Sequence, residues 1–106
     1  MTKKDIIDAH FFRRNGFKKK LQPGTVSYTL IQLGRAKNSP PILYRITVHV
    51  TRHETQKGAV TGYLLMCIKS EYGNTPFRAF DGWISTMDDF KDVMRVVGIK
   101  RKFRYD

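Results

Sequence analysis

The sequence predicts an α+β domain: an antiparallel sheet of three to four strands, with an N-terminal and a C-terminal helix packed on one face. Three observations carry this expectation. The 106 residues suffice for one core and leave no room for two. The segment from Ile42 to Thr51 alternates apolar and polar side chains, the period-two pattern of a half-buried strand. Near the end of the chain, apolar residues recur at helical spacing between a capping pair and a glycine.

Residues 2–15 read as a short helix. Thr2 can cap it, Asp5 stands three residues later, Ile7 and Phe11 share a face, and Gly16 is a stop signal. The charge run Lys18, Lys19 and Lys20 follows, and the Pro23-Gly24 turn closes a basic N-terminal helix and arm over residues 1–24. That arm has two readings, a solvated, frayed terminus and a docking arm. Residues 25–99 hold the sheet and the last helix. Val26, Tyr28 and Leu30 alternate with Ser27 and Thr29 in a first strand ending at Gly34, and Arg35 to Pro41 is a proline-containing loop.

In the second strand Ile42, Tyr44, Ile46, Val48 and Val50 face the core, and Leu43, Arg45, Thr47, His49 and Thr51 form the other face. The polar loop from Glu54 to Gly58 makes a hairpin onto a third strand beginning at Ala59. There Val60, Leu64, Met66 and Ile68 mark one face, while Tyr63, Leu65 and Cys67 make the other apolar too. This suits either a central strand or a strand in a dimer interface. Glu71 to Pro76 is a turn, and Phe77 to Ile84 is a fourth strand broken near Asp81-Gly82. Ser85 or Thr86 then caps the last helix, Asp88 and Asp89 occupy its positive end, and Phe90, Val93, Met94 and Val97 share a face. Gly98 ends it with Ile99 folding back, and residues 100–106 form a basic tail.

Charge is the strongest functional signal. Twenty Lys and Arg stand against nine Asp and Glu, for a net charge of +11. Self-repulsion of this size is offset by a polyanionic partner, and nucleic acid is the first expectation. The alternative is a basic interaction or inhibitor protein that docks on an acidic protein. The longest apolar run, Tyr63 to Ile68, is far shorter than the ~20 residues of a membrane span, so no membrane partner is expected. With no secretory apolar run behind the N-terminal basic residues, a cytoplasmic or other intracellular site follows. Cys67 is the sole cysteine, which excludes an internal disulfide and a multi-cysteine zinc site, and its apolar setting reads as a buried hydrophobe.

The candidate nucleic-acid-binding residues are the termini and one sheet face. Lys18, Lys19, Lys20, Lys100, Arg101, Lys102 and Arg104 supply terminal charge. Arg45, His49, Arg52 and Lys57 lie on or beside the hairpin, with Tyr63 offering a ring among them, followed by Lys69, Tyr72 and Arg78. Cations attract phosphates and flat rings stack unpaired bases, a combination suited to single-stranded DNA or RNA. The competing reading is a solvated strand face with Tyr63 packed inside. His49 and His53 share a strand face but stand about 13 Å apart, too far to ligate one metal. Of the acids in the last helix, Asp88 and Asp92 share a face and helix-end electrostatics explains Asp88 and Asp89, while phosphate loops, serine elbows and a second acid cluster are missing from the sequence. A non-enzymatic binding protein without cofactor or metal is therefore expected, with a small nuclease as the less favoured reading. The last helix exposes Asp88, Lys91, Asp92 and Arg95, which is not a major-groove recognition set.

Three segments, Tyr44-Arg45-Ile46-Thr47-Val48 through Lys57-Gly58, Ile68-Lys69-Ser70-Glu71-Tyr72, and Gly82-Trp83-Ile84-Ser85 leading to Phe90, carry a family likeness. Over Leu43 to Val97 the chain resembles the positive cofactor four family of single-stranded-DNA-binding transcriptional coactivators. The resemblance implies a curved antiparallel sheet followed by one helix, a homodimer, and DNA-contacting roles for Arg52, Lys57 and Lys69. Pro76 and the additional N-terminal helix and strand depart from the family pattern. A small replication or transcription accessory protein of a phage or mobile element would fit this compactness.

Overall fold

The structure is a computed structural model that describes residues 6–34 and 40–105, apart from the His53 side chain. Helix α1 (Ala9–Arg14) precedes five strands, β1 (Lys18–Gln22), β2 (Thr25–Gly34), β3 (Ile42–Thr55), β4 (Gly58–Glu71) and β5 (Phe77–Ile84), and helix α2 (Met87–Val97) follows them. The strands form one antiparallel meander in sequence order. The α+β class is as expected, but the sheet is larger than three to four strands.

The additional strand is β1. The Lys18 to Lys20 run expected in a separate arm is paired along its length with β2, from Lys18 opposite Thr29 to Gln22 opposite Thr25. All five of its side chains are exposed, so no alternation marks it, and backbone pairing holds it in place. A run of lysines on an edge strand also opposes edge-to-edge association.

Register places one apolar face beneath both helices. Tyr28, Val48 and Leu65 stand in one cross-strand row, and Leu30, Ile46 and Cys67 in the next. Ile46, Val48, Leu65 and Cys67 are fully buried, and Phe11 and Phe12 of α1 join the same core as Phe90, Val93, Met94 and Val97 of α2. Aromatic rings tie the layers together: Phe12 lies 5.3 Å from Phe17 and 5.5 Å from Tyr28, and Phe90 lies 5.1 Å from Phe11.

The first helix is shorter than expected. It is capped by Asp8, whose carboxylate accepts the Phe11 N–H at 3.0 Å. Ahead of it the chain is extended, because Ile6 bridges Thr86 and the Ile7 N–H donates to the Ser85 carbonyl at 3.0 Å. The expected cap Thr2, together with Asp5, lies outside the described residues, as does most of the Arg35 to Pro41 loop. Gly16 does follow the helix, in the left-handed region at φ 86°. Strand β5 runs unbroken through Asp81-Gly82, and its irregularity lies earlier, at Ala79, the unpaired residue between Arg78 opposite Ile68 and Phe80 opposite Cys67. Gly82 is accommodated beneath the Phe80 ring, where an added Cβ would come within 3.1 Å of Cζ.

Helix α2 starts in a capping box. Thr86 Oγ1 accepts the Asp89 N–H at 3.1 Å, and Asp89 Oδ2 accepts the N–H groups of Ser85 at 2.9 Å and Thr86 at 3.0 Å. Those backbone donors, Ser85 first, hold the Asp89 carboxyl below its ordinary range. A depressed folded-state pKa gives stability that is present above the unfolded value and lost as pH falls through the folded one. Asp89→Asn should accordingly lower the urea midpoint at neutral pH and flatten its decline on the acid side. Equal slopes in the two proteins would show the cap to be energetically silent. The helix ends at left-handed Gly98, φ 89°, with the Ile99 N–H donating back to Met94 O at 2.9 Å.

Residues 100–105, the basic tail, pack against the helices. Phe103 is buried 4.9 Å from Phe90, and Tyr105 stacks on Phe11 at 5.7 Å, so the segment forms part of the helix-side core.

Candidate nucleic-acid interface

With both helices and the C-terminal segment on one face, the opposite face of the sheet stays open. Pairing sets its side chains in rows. Lys20, Ser27, His49, Leu64 and Trp83 form one row across all five strands, and Lys18, Thr29, Thr47, Met66 and Asp81 form the next. Ile31, Arg45, Ile68 and Arg78 make a third.

The rows change character from one edge to the other. Over β1 to β3 a shallow groove is lined by Lys18, Lys20, Arg45 and His49 among Ser27, Thr29 and Thr47, with Lys19 from the other face at its border. Among the described residues, this face of β1 to β3 carries no carboxylate. On β4 and β5 the same face is apolar: Leu64, Met66 and Ile68 are half-buried and Trp83 is 57% exposed. The Trp83 ring lies over Gly62, whose missing Cβ would stand 3.0 Å from Cζ3, so the glycine gives the indole a flat backbone bed. Asp81 is the acid of this half, and it pairs with Arg78 at 2.9 Å.

The candidate residues divide between the two sides. Lys18, Lys20, Arg45 and His49 come together on the open face, and Arg78 lies on the same face at the far edge, on β5. Tyr63 does not: it pairs with Val50, faces the helices and tilts against Phe12 at 5.5 Å. Burial, with Asp8 and Tyr28 adding to it, pushes its phenol pKa up. The ring expected among the hairpin charges is therefore a core ring, because register sends it inward with Val50. Lys69 is on that helix-side face as well, 3.4 Å from Glu71 and over the Tyr44 and Phe77 rings.

Arg52 lies toward the hairpin tip, 3.7 Å from Glu54, and Lys57 occupies the turn itself. Tyr72 is exposed in the turn between β4 and β5. Behind the sheet, Arg101 donates to Gln32 Oε1 and to the Asn15 carbonyl, both at 3.1 Å, and lies over the Phe103 ring. Its charge is tied into the fold, while Lys100 and Lys102 are exposed and the Arg104 backbone pairs with the Asn15 side chain.

Trp83 is the residue that the sequence reading passed over. A signal was present: with Phe80, Gly82 and Ile84 inward, Trp83 must point outward on β5. Elsewhere, Cys67 is buried and its thiol is pushed up to about 11, chiefly by desolvation, so it is a packing residue. Among the described residues, no three His, Cys, Asp or Glu side chains gather into a metal-binding group, and no helix is long and apolar enough to cross a membrane. Comparison with protein families, curated proteins and solved structures finds no match for the chain.

Proposed function

We propose that the protein is a non-enzymatic nucleic-acid-binding module whose open sheet face receives the polyanion, with phosphates in the groove of β1 to β3. One observation carries this reading: the groove brings Lys18, Lys20 and Arg45 together with the hydroxyls of Ser27, Thr29 and Thr47, with no carboxylate facing them among the described residues. Lys, Arg, Ser and Thr are the side chains that hold phosphate oxygens, and their charge sets affinity and its salt dependence. The net charge of +11 adds attraction over the whole surface. The likeness of Leu43 to Val97 to the positive cofactor four family supports the same reading. Arg52 and Lys57 would then add charge at the hairpin tip.

The test separates the groove from charge in general. Replacing Lys18, Lys20 and Arg45 together with Gln should lower the slope of log affinity against log salt by about 2 on a single strand, at ~0.7 per lost phosphate contact. Lys100→Gln with Lys102→Gln, on the other side of the sheet, should change the slope much less. Fluorescence anisotropy of a labelled oligonucleotide across a salt series reads both. Equal losses from the two sets would mean that binding is diffuse and has no seat on this face.

A further inference from the structure

Resting on that reading, we infer that Trp83 is a base-stacking platform and that the ligand is single-stranded DNA lying across the strands from β5 to β1. The lysine groove and the indole lie on the same face, joined by the row Lys20, Ser27, His49, Leu64 and Trp83. Four inter-strand steps of ~4.8 Å separate its ends by about 19 Å, a span for several nucleotides of one strand. Phosphates are attracted to the basic end. The other end offers a large ring, over half exposed and bedded on Gly62, with half-buried Leu64 and Met66 beside it.

A lone charged face would accept duplex and single strand alike, since both present phosphates. An exposed indole on the same row discriminates, because only an unpaired base has a π-face to give it. The surroundings of the ring select the sugar. A deoxyribose can lie against Leu64 and Met66, whereas a ribose 2′-hydroxyl there would give up water against apolar side chains. Charge complementarity favours this occupant over a second copy of a chain carrying the same +11.

Trp83 is the single tryptophan, so its emission reports this site alone in the unmodified full chain. Short oligothymidine, oligouridine and a matched DNA duplex are titrated in turn, with anisotropy recording binding and tryptophan emission recording stacking. Oligothymidine should quench Trp83, oligouridine should bind roughly fivefold more weakly, as for one unpartnered hydroxyl, and duplex should bind without quenching. Trp83→Ala should weaken oligothymidine binding by about 5- to 100-fold and duplex binding by less than about twofold, while Trp83→Phe, which keeps a ring, retains most of the affinity. Circular dichroism checks the variants' folding, and quenching in the unsubstituted protein stands without them. Oligothymidine binding without quenching overturns the platform but leaves the phosphate groove intact, and equal binding of oligouridine overturns the choice of DNA. Emission that responds to protein concentration and not to oligothymidine would show that a second copy covers the face. Loss of all salt-dependent binding would overturn the nucleic-acid reading itself.

Discussion

Phe90→Ala is expected to lower folding stability by about 3 to 5 kcal/mol, a large share of the ~5 to 15 kcal/mol that holds a domain of this size together. Phe90 is fully buried at the first turn of α2. Its ring meets Phe11 at 5.1 Å, Phe17 at 6.2 Å, Phe103 at 4.9 Å and Tyr105 at 6.5 Å, all edge-to-face. One side chain thus joins α1, the turn into β1, α2 and the C-terminal segment. Truncating it removes the transfer free energy of the ring and leaves a cavity walled by four other rings, which cannot all move inward at once. Urea unfolding followed by circular dichroism should show a lower midpoint, and Val96→Ala, on the exposed side of the same helix, should stay within about 0.5 kcal/mol of the parent. A loss below about 1 kcal/mol for Phe90→Ala would mean that the C-terminal segment is not docked as described.

What the sequence could disclose depended on where the physical signal was local. β3 and α2 were legible because alternation and capping are written in neighbouring residues: Tyr44, Ile46 and Val48 inward, and Thr86, Asp89 and Gly98 at the helix ends. β1 was not, since its stability comes from backbone pairing with a strand that is contiguous in space and its side chains are uniformly solvated. The docked C-terminal segment was hidden for a related reason. Charges at 100, 101, 102 and 104 obscure two rings, Phe103 and Tyr105, whose partners, Phe90 on α2 and Phe11 on α1, are set by the tertiary fold. The same limit governed the candidate site. Alternation within β3 placed Arg45 and His49 outward, but whether Tyr63 joined them depended on cross-strand register, and its partner Val50 puts it on the other face.

Replacing Asn15 with Leu is expected to release the C-terminal segment and cost about 2 to 4 kcal/mol, most of it from groups left without partners. Asn15 is the buried polar residue of the described core, at 4% exposure. Its Nδ2 donates to the Phe11 carbonyl at 2.9 Å and to the Arg104 carbonyl at 3.0 Å, and its Oδ1 accepts the Arg104 N–H at 2.7 Å. One side-chain amide therefore ends α1 and clamps the backbone at 104, while the Asn15 main-chain carbonyl accepts from Arg101. A leucine of similar volume keeps the packing but satisfies none of the three bonds, so Arg104 must take its N–H and C=O to water and pull Phe103 and Tyr105 with it. Thermal unfolding should fall by several degrees per kcal/mol lost. Amide exchange at Arg104 should accelerate far more than exchange at Val48 in the sheet, because the segment opens before the sheet does. Arg101→Gln supplies the contrast: it weakens the outer bonds to Gln32 and Asn15 but leaves the clamp, so exchange at Arg104 should change little. Unchanged Arg104 exchange in Asn15→Leu would show that the aromatic rings alone dock the segment.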